Sequence, residues 1–555
     1  MVGSAARKFM RNWYAVEVQL FSYFLISEPQ NLLTSTLLQA IPLYAVIGIT
    51  VGGAGWYLAR LAQGPSVVWT KSNPTPWNSV KPDENIKMMD PSGKFAKRFV
   101  ISVYMVERLD APQPTFPLPP LADVPDEDVD KADDAKRVTT SFGPADATLP
   151  NIPAVVFGAA SFSAFYNDDD HIRGITPLRT TRLALRYVCV SHLVIRRSDG
   201  MVYEHRYDIR AFDTAPFYGP SEIVLGNALK ALKNEFPRSS YQLFTKCGRF
   251  GDTRDTFDYT PRGVRASVER SLARLHTTYL DTVYLHDVEF IAAPKAPRTS
   301  GDHRTALGVE ADAYGLGEGC EAVVCGAGDR EVLEAIGELR RLQDEGVVRR
   351  VGISGACALF LGSRSGSVLT SSHCTIDTGY PLPTLLRLAI LVKHTAPYTP
   401  LDVVMSYCHL NLQNRTLLDF KTAFERRAGV KHVLTASPLS MRLLMPSNPP
   451  TWHPASEAIK DAIKRVVQVS KRPDGESGLP ELALEYAFQK AKEVGIPTVV
   501  GLGSLKDVHE NARIWYAVDK RGLGENEEWK QRVQGVLDEE GGLLDHSWEN
   551  PRFSK

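Results

Sequence analysis

The sequence predicts an α/β protein whose main domain is a (β/α)8 TIM barrel with loop insertions. Apolar segments of strand length alternate with amphipathic segments between residues 152 and 520. Eight strand–helix units in roughly 360 residues suit such a barrel. A doubly wound sheet is the alternative, but the G-x-G-x-x-G turn that usually follows its first strand is missing after Val155-Val156-Phe157-Gly158. We expect a single transmembrane helix and a disordered linker before the barrel.

The predicted strands are short apolar runs, and several of them end on a polar residue. They cover residues 155–158, 210–214, 241–246, 282–286, 348–354, 402–407, 432–437 and 498–502. Helical spacing of apolar residues is found between them. In 262–276, for example, Val264, Val268, Leu272 and Leu275 recur at the period of an α-helix.

Composition excludes several classes of protein. The 555 residues contain 64 Lys plus Arg and 64 Asp plus Glu, so no global charge attracts nucleic acid. The seven cysteines are dispersed, which argues against a disulfide framework and suits a reducing compartment. Cys320 and Cys325 are too isolated to predict a zinc site, and we expect no metal.

An uncharged segment near the N-terminus predicts a membrane span. Ile41 to Ala59 carries no charge, and we place a helix at about 41–61. At 1.5 Å per residue this length roughly spans a ~30 Å hydrocarbon core. Gly48 and Gly52 suit close helix packing. A buried core helix is the alternative interpretation.

The remaining chain divides by composition. We expect an N-terminal unit at 1–98, a Pro- and Asp-rich linker at 99–151, the barrel at 152–520 and a C-terminal tail at 521–555. Three long unperiodic segments interrupt the barrel: 188–208, 300–328 and 356–379. Such loops are functional lids or disordered segments. For 188–208 and 356–379, an error in the gene model or a retained intron is a further hypothesis.

Four residue types at strand ends predict proton transfer. Asp213, Lys246 and His286 lie at the carboxyl ends of the second, third and fourth predicted strands, and Tyr218 lies just after the second, so they gather at one end of the barrel. Taken singly, each is more ordinarily a turn former, a packed aromatic, a surface lysine or a core histidine. Together they suit carbonyl reduction, in which Tyr218 supplies the proton, Lys246 lowers its pKa from ~10, Asp213 orients Lys246, and His286 positions the substrate oxygen.

The same residues carry a resemblance to a known family. Segments FDTAPFYGPSE, LFTKCGR, YLHDVEF, VRRVGISG, MSYCHLNLQN, LTASPLSM and VVGLGSLKDVHEN, in that order, resemble the aldo-keto reductases. Within that family they are most similar to fungal NAD-dependent D-arabinose dehydrogenases and plant L-galactose dehydrogenases. The resemblance implies that Asp213, Tyr218, Lys246 and His286 form the catalytic tetrad. It also implies a small sugar substrate, lined by 218–220, 287–292 and 408–415, and oxidation of its anomeric hydroxyl to a lactone.

The cofactor contacts implied by the resemblance are spread over several loops. They are Gly158, Ser354, Ser437, Leu439, Gly501, Asp507, Glu510 and Asn511. Gly355 replaces a common Asn, and Ala436 replaces the Tyr that many members stack on the nicotinamide. Asp507 stands where NADP-preferring members often have Arg, which favours NAD, with NADP as the alternative.

Residues 38–95 resemble a different family, the single-span MLRQ-type accessory subunits of NADH-ubiquinone oxidoreductase. The run YLARLAQGPSVVWTKSNPTPWNSVKPDE carries this resemblance. It implies contact with a respiratory-chain complex and a membrane-anchored protein of the mitochondrial inner membrane. Two alternatives stay open: a general aldehyde reductase, and an accessory subunit artificially fused to the barrel. If the fusion is an artefact, we expect a soluble cytoplasmic barrel.

Overall fold

The computed structural model describes residues 116, 118, 140–142, 149–186, 207–251, 253–298, 300–355, 381–450, 453–471, 478–521, 527–539 and 542–548. All of them belong to the second of two compact units, residues 101–555. The transmembrane helix predicted at 41–61, the insertion predicted at 356–379 and residues 188–206 of the insertion predicted at 188–208 lie outside these ranges. The last two residues of that insertion, Tyr207 and Asp208, are described, and Tyr207 is buried in the core. Within them, no helix has both the length and the apolar character that crossing a bilayer demands.

Eight parallel strands close into a barrel, as predicted. In chain order they are β3 (Val155–Gly158), β4 (Ala211–Asp213), β5 (Gln242–Cys247), β6 (Thr282–Leu285), β8 (Val351–Gly355), β9 (Val403–Tyr407), β10 (His432–Ala436) and β11 (Thr498–Gly501). Pairing of Val155 with Thr498 joins the last strand to the first. Each strand lies within two or three residues of its predicted position.

Helices surround the barrel. They are α1 (Asp169–Arg173), α2 (Thr176–Leu185), α3 (Ser221–Ala231), α4 (Pro261–Arg274), α5 (Ala327–Asp344), α6 (Pro381–His394), α7 (Leu417–Arg426), α8 (Glu457–Val469), α9 (Leu479–Val494), α10 (Leu505–Arg521) and α11 (Glu527–Glu539). Local sequence sets several ends. The Thr260 side chain caps α4 by accepting from the backbone N–H of Gly263, and Gly495 ends α9 in the left-handed conformation.

Strand alternation decides which side chains enter the barrel. Successive residues of a strand point to opposite faces. Inside the barrel lies a cluster that includes Val156, Ala211, Phe244, Tyr284, Val403, Leu434 and Val499. The residue two positions further along each strand points the same way. The inward-facing residues at the carboxyl end of the barrel are therefore Gly158, Asp213, Lys246, His286, Met405, Ala436 and Gly501.

Parts of the predicted linker and tail are packed structure. Strand β1 (Ser141–Phe142) pairs antiparallel with β2 (Ile152–Pro153), and Phe116 is buried in the outer core. At the other end, Val533 and Leu537 of α11 are buried, and β12 (His546–Ser547) pairs antiparallel with β7 (Gly301–Asp302). Composition predicts a disordered linker and a C-terminal tail, but these segments are ordered because they bury aromatic and aliphatic side chains.

Candidate active site

Asp213, Lys246, Tyr218 and His286 converge at the carboxyl end of the barrel. Lys246 Nζ donates to Asp213 Oδ1 at 2.6 Å and to the Thr214 carbonyl at 3.0 Å. The same nitrogen lies 4.7 Å from the centre of the Tyr218 ring. The rings of Tyr218 and His286 are perpendicular, with centroids 5.7 Å apart. The four residues thus form one cluster, as the sequence predicts.

The cluster is buried, and two of its polar atoms have no partner among the described residues. Asp213, Lys246 and His286 are 2–3% exposed, and Tyr218 is 7% exposed. Asp213 Oδ2 and His286 Nδ1 are the buried atoms without a hydrogen bond. Most buried polar groups in folded proteins are hydrogen-bonded, so these two atoms are open to a hydrogen bond with a bound molecule.

Burial governs the protonation of the cluster. Desolvation, followed by the negative charges of Asp213 and Asp287, holds the pKa of Tyr218 well above 10. The net shift of the Tyr218 pKa is therefore upward, opposite to the sequence-based expectation, although a neighbouring ammonium such as that of Lys246 still favours the tyrosinate form. The reason is that desolvation dominates while Asp213 counters the Lys246 charge at 2.6 Å. Desolvation and the charges of Lys246 and Arg249 hold the pKa of His286 well below its ordinary 6.5. Both groups are consequently neutral near pH 7.

Two adjoining cavities open onto this cluster. The larger has a volume of about 300 Å³ and runs from Asp213 and Tyr218 past the ends of β10 and β11. The smaller has a volume of about 20 Å³ and is lined by Lys246, His286 and Ser354, among others. Tyr218, Met405 and Tyr407 line both cavities. A volume of 300 Å³ is at the lower end of the range for small-molecule and cofactor sites.

Comparison with known proteins agrees with this geometry. The model of the aldo/keto reductase family matches residues 201–360. The chain is 34% identical over 311 residues to D-arabinose 1-dehydrogenase of Saccharomyces cerevisiae, covering 56% of this chain and 73% of that protein. It is 32% identical over 335 residues to L-galactose dehydrogenase of Arabidopsis thaliana, covering 60% and 81%. The chain belongs to the aldo-keto reductase family.

The N-terminal unit matches a second family. The model of the NADH-ubiquinone reductase complex 1 MLRQ subunit matches residues 38–86. Human cytochrome c oxidase subunit NDUFA4 is 40% identical over 58 residues, which is 10% of this chain and 72% of that protein.

Among solved structures, the aldo-keto reductase AKR11C1 from Bacillus halodurans in its holo form aligns with a TM-score of 0.42 and 20% identity, covering 72% of this chain and 95% of that chain.

Most of the predicted cofactor residues of this aldo-keto reductase surround the two cavities. Gly158, Ser437, Leu439, Gly501 and Asp507 line the larger one, and Ser354 lines the smaller. A Cβ at Gly501 would meet no atom within 4 Å, so this glycine leaves open space. A Cβ at Gly158 would lie 3.0 Å from the Val500 carbonyl, so that glycine allows close packing of strands instead.

Three of the predicted cofactor residues make contacts that the sequence did not indicate. Asp507 Oδ2 accepts from the backbone N–H groups of Gly503 and Ser504, at 3.0 and 2.9 Å. Glu510 lies outside both cavity walls and pairs with Lys506 at 3.5 Å. Asn511 is also outside the described walls: its Nδ2 donates to the Asp507 carbonyl at 2.9 Å. Glu510 and Asn511 therefore contact the first turn of α10, which carries Asp507.

Sequence reasoning missed several residues of the cavity walls. Arg442 lines the larger cavity on a loop with four non-glycine residues at positive φ: Ser437, Ser440, Met441 and Arg442. Backbone of this kind clusters at ligand sites. Tyr407 lines both cavities, and its hydroxyl lies 3.4 Å from that of Tyr166. Of the three ranges predicted to line the sugar, 218–220 supplies Tyr218 to the cavity walls and 287–292 supplies Asp287. The third range, 408–415, supplies none of the lining residues; Met405 and Tyr407, just before it, line both cavities instead.

Proposed function

We propose that this protein oxidises the anomeric hydroxyl of D-arabinose, or of a closely similar aldose, to a lactone with NAD as hydride acceptor. The observation that carries the proposal is the cluster of Asp213, Tyr218, Lys246 and His286 at the mouth of a barrel in this family. The names of the two long relatives, D-arabinose 1-dehydrogenase and L-galactose dehydrogenase, support an aldose substrate.

In this proposal each residue of the cluster has a separate task. Tyr218 accepts the proton of the anomeric hydroxyl during oxidation and returns one to a carbonyl oxygen during reduction. His286, held neutral, donates a hydrogen bond that orients the substrate oxygen. Lys246 stabilises the tyrosinate that oxidation needs, and Asp213 fixes Lys246 at 2.6 Å. Exclusion of water by the buried walls strengthens these electrostatic interactions.

The larger cavity suits a nicotinamide dinucleotide, which would supply the hydride acceptor. Its walls offer the residue types that such a molecule needs, since Arg442 can pair with a phosphate and Asp507 disfavours a second phosphate on the ribose. Gly158, Ser437, Leu439 and Gly501 would hold the cofactor from the strand ends, with Ser354 beside the reacting centre. The Asp507 carboxylate supports NAD over NADP.

A substrate panel tests the proposal. Initial rates with D-arabinose, L-galactose and simple aldehydes, each with NAD and NADP, separate an aldose dehydrogenase from a general aldehyde reductase. We expect the highest kcat/KM for an aldose with NAD. Higher kcat/KM for simple aldehydes than for every aldose would favour a general aldehyde reductase. A lower KM for NADP than for NAD would reject the cofactor assignment.

A second role is proposed for residues 38–95, on the strength of the match to the MLRQ family at 38–86. We propose that this segment anchors the protein in the mitochondrial inner membrane and contacts a respiratory-chain complex. Transcript sequence across residues 95–210 and 350–385 would test whether both units, and both barrel insertions, belong to one mature protein. An antibody to the barrel that detects only a smaller protein outside membranes would contradict the anchor.

A further inference from the structure

A second buried ion pair lies directly beside the catalytic cluster. Arg249 follows Lys246 by three residues, and Asp287 follows His286 immediately. Arg249 Nη1 donates to Asp287 Oδ2, and the Arg249 and Asp287 side chains are 2% and 4% exposed. Asp287 Oδ2 lies 3.6 Å from His286 Nε2. The proposed roles of the cluster use neither member of this pair.

The pair faces the reacting centre. Arg249 and Asp287 line the 20 Å³ cavity together with Tyr218, Lys246, His286 and Ser354. A space of about this size holds a single water molecule, and hence one hydroxyl group. Since Tyr218 also lines the larger cavity, this recess adjoins the position where a substrate oxygen would meet the phenol.

Aromatic rings and backbone geometry hold the pair in place. The Arg249 guanidinium lies 3.8 Å from the centre of the Phe217 ring, with Phe257 and Phe290 at 5.5 and 5.3 Å. Asp287 has a left-handed backbone with φ 60° and ψ 56°. Such a backbone in a non-glycine residue is a reason to suspect function.

Stability alone gives little reason for this pair. Burying two charges carries a large desolvation cost, and well-packed apolar residues often stabilise a fold equally well. A carboxylate and a guanidinium held open to a hydroxyl-sized space can accept from and donate to the same hydroxyl. Hydrogen bonds to charged groups are stronger than those between neutral groups.

We propose that Arg249 and Asp287 form a specificity-determining pair that binds the hydroxyl on the carbon next to the reacting carbon, which is O2 of an aldose. This assignment rests on the proposed function. It predicts a preference for 2-hydroxylated substrates over those that lack the group. A simple aldehyde has no hydroxyl at this position, so it gains nothing from the pair.

The test compares substrates that differ only in this hydroxyl. 2-Deoxy-D-ribose is D-arabinose without the oxygen at C2. For the unaltered protein we expect kcat/KM on D-arabinose to exceed that on 2-deoxy-D-ribose by about 30-fold, the size of one hydrogen bond to a charged group. In Asp287→Asn we expect this ratio to fall below about 3-fold, because the contribution of the 2-hydroxyl is lost. Removal of a charge beside Tyr218 and His286 changes kcat/KM on both sugars by the same factor, so it cancels in the ratio. NAD binding, followed by fluorescence quenching, should be retained.

Two further variants keep the test decisive. Asp281→Asn is the matched control: Asp281 is buried, bonds Arg238 at 2.7 Å and Arg349 at 3.0 Å, and precedes the same strand that Asp287 follows. We expect it to lower stability without changing the substrate ratio. If Asp287→Asn does not fold, Arg249→Lys keeps the charge but loses the planar fork, and it should also reduce the ratio.

The outcomes separate this proposal from the proposed function. An unchanged ratio in folded Asp287→Asn and Arg249→Lys would overturn the pair as a hydroxyl binder. If the unaltered protein oxidised no aldose, the proposed function would fail. In that case the role of the recess is tested by reduction of glycolaldehyde and acetaldehyde, which differ only in the hydroxyl next to the carbonyl. A lower ratio of their kcat/KM values in Asp287→Asn than in the unaltered protein would support the pair as a hydroxyl binder, and an unchanged ratio would overturn it.

Discussion

Replacing Lys246 by Met separates the electrostatic role of the ammonium from its structural role. The Lys246 and Asp213 side chains are 3% and 5% exposed, so the variant leaves a buried carboxylate without its counter-charge. Breaking a buried pair in this way costs about 3–5 kcal/mol of folding free energy. Asp213→Asn combined with Lys246→Met removes both charges and should recover about 2 kcal/mol or more of that loss.

Activity should respond differently. Nζ lies 4.7 Å from the centre of the Tyr218 ring. With an effective dielectric constant of about 20, one charge at that distance stabilises tyrosinate by about 3.5 kcal/mol, or roughly 400-fold in rate. Part of this is offset by Asp213, so we expect kcat for aldose oxidation to fall at least about 100-fold in Lys246→Met. The double variant should stay inactive although it is stable.

The assay pairs kcat with the free energy of unfolding from urea denaturation. Arg274→Met is the control, because Arg274 and Glu222 form a buried ion pair at 3.3 Å that lines neither cavity. It should lose stability and keep kcat. A Lys246→Met protein within tenfold of the parental kcat would refute the electrostatic argument. A double variant no more stable than the single one would refute the argument from the buried carboxylate.

Three further predictions follow from the site and its surroundings. Because the raised pKa of Tyr218 keeps the phenol protonated, kcat for oxidation should rise with pH between 7 and 9 while kcat for aldehyde reduction stays nearly flat, and a pH-independent oxidation rate would contradict this. Asp507→Ser should raise the ratio of kcat/KM for NADP over NAD by about tenfold, since it removes a negative charge from the wall of the proposed NAD site, and an unchanged ratio would show that Asp507 acts only through Gly503 and Ser504. Desolvation lowers the pKa of His409 in the folded protein to about 3. Below pH 6.5 the imidazole is therefore protonated in the unfolded chain but stays neutral in the folded protein, so the free energy of unfolding falls as the pH falls. Between pH 6.5 and 5.5 this costs about 1 kcal/mol, and His409→Asn should lose about that much less than the parent in urea denaturation, whereas an equal loss in both would contradict the assignment.

The sequence predicts the barrel and the clustering of Asp213, Tyr218, Lys246 and His286 because both follow from short-range pattern. Strand alternation alone places Asp213, Lys246 and His286 on the inner face, two residues beyond the buried Ala211, Phe244 and Tyr284. The order of the strands then follows from the family resemblance.

Contacts between distant segments are less accessible to sequence reasoning. The pairing of β12 with β7 and the burial of Phe116 depend on tertiary packing that leaves no local period. The pKa of Tyr218 depends on a balance of desolvation and three-dimensional charge placement, which the residue types alone do not give. Asp507 shows the same difficulty, because its carboxylate accepts hydrogen bonds from the backbone N–H groups of Gly503 and Ser504, just before its own helix α10.

Transfer of deuterium from D-arabinose labelled at C1 tests the central claim most directly. The protein is incubated with NAD and this sugar, and the nicotinamide and the sugar product are analysed by mass spectrometry. We predict one deuterium on the reduced nicotinamide and a lactone in equal amount, with turnover reduced at least about 100-fold in Tyr218→Phe. Reduced nicotinamide without deuterium, or Tyr218→Phe turning over at the parental rate, would contradict the account.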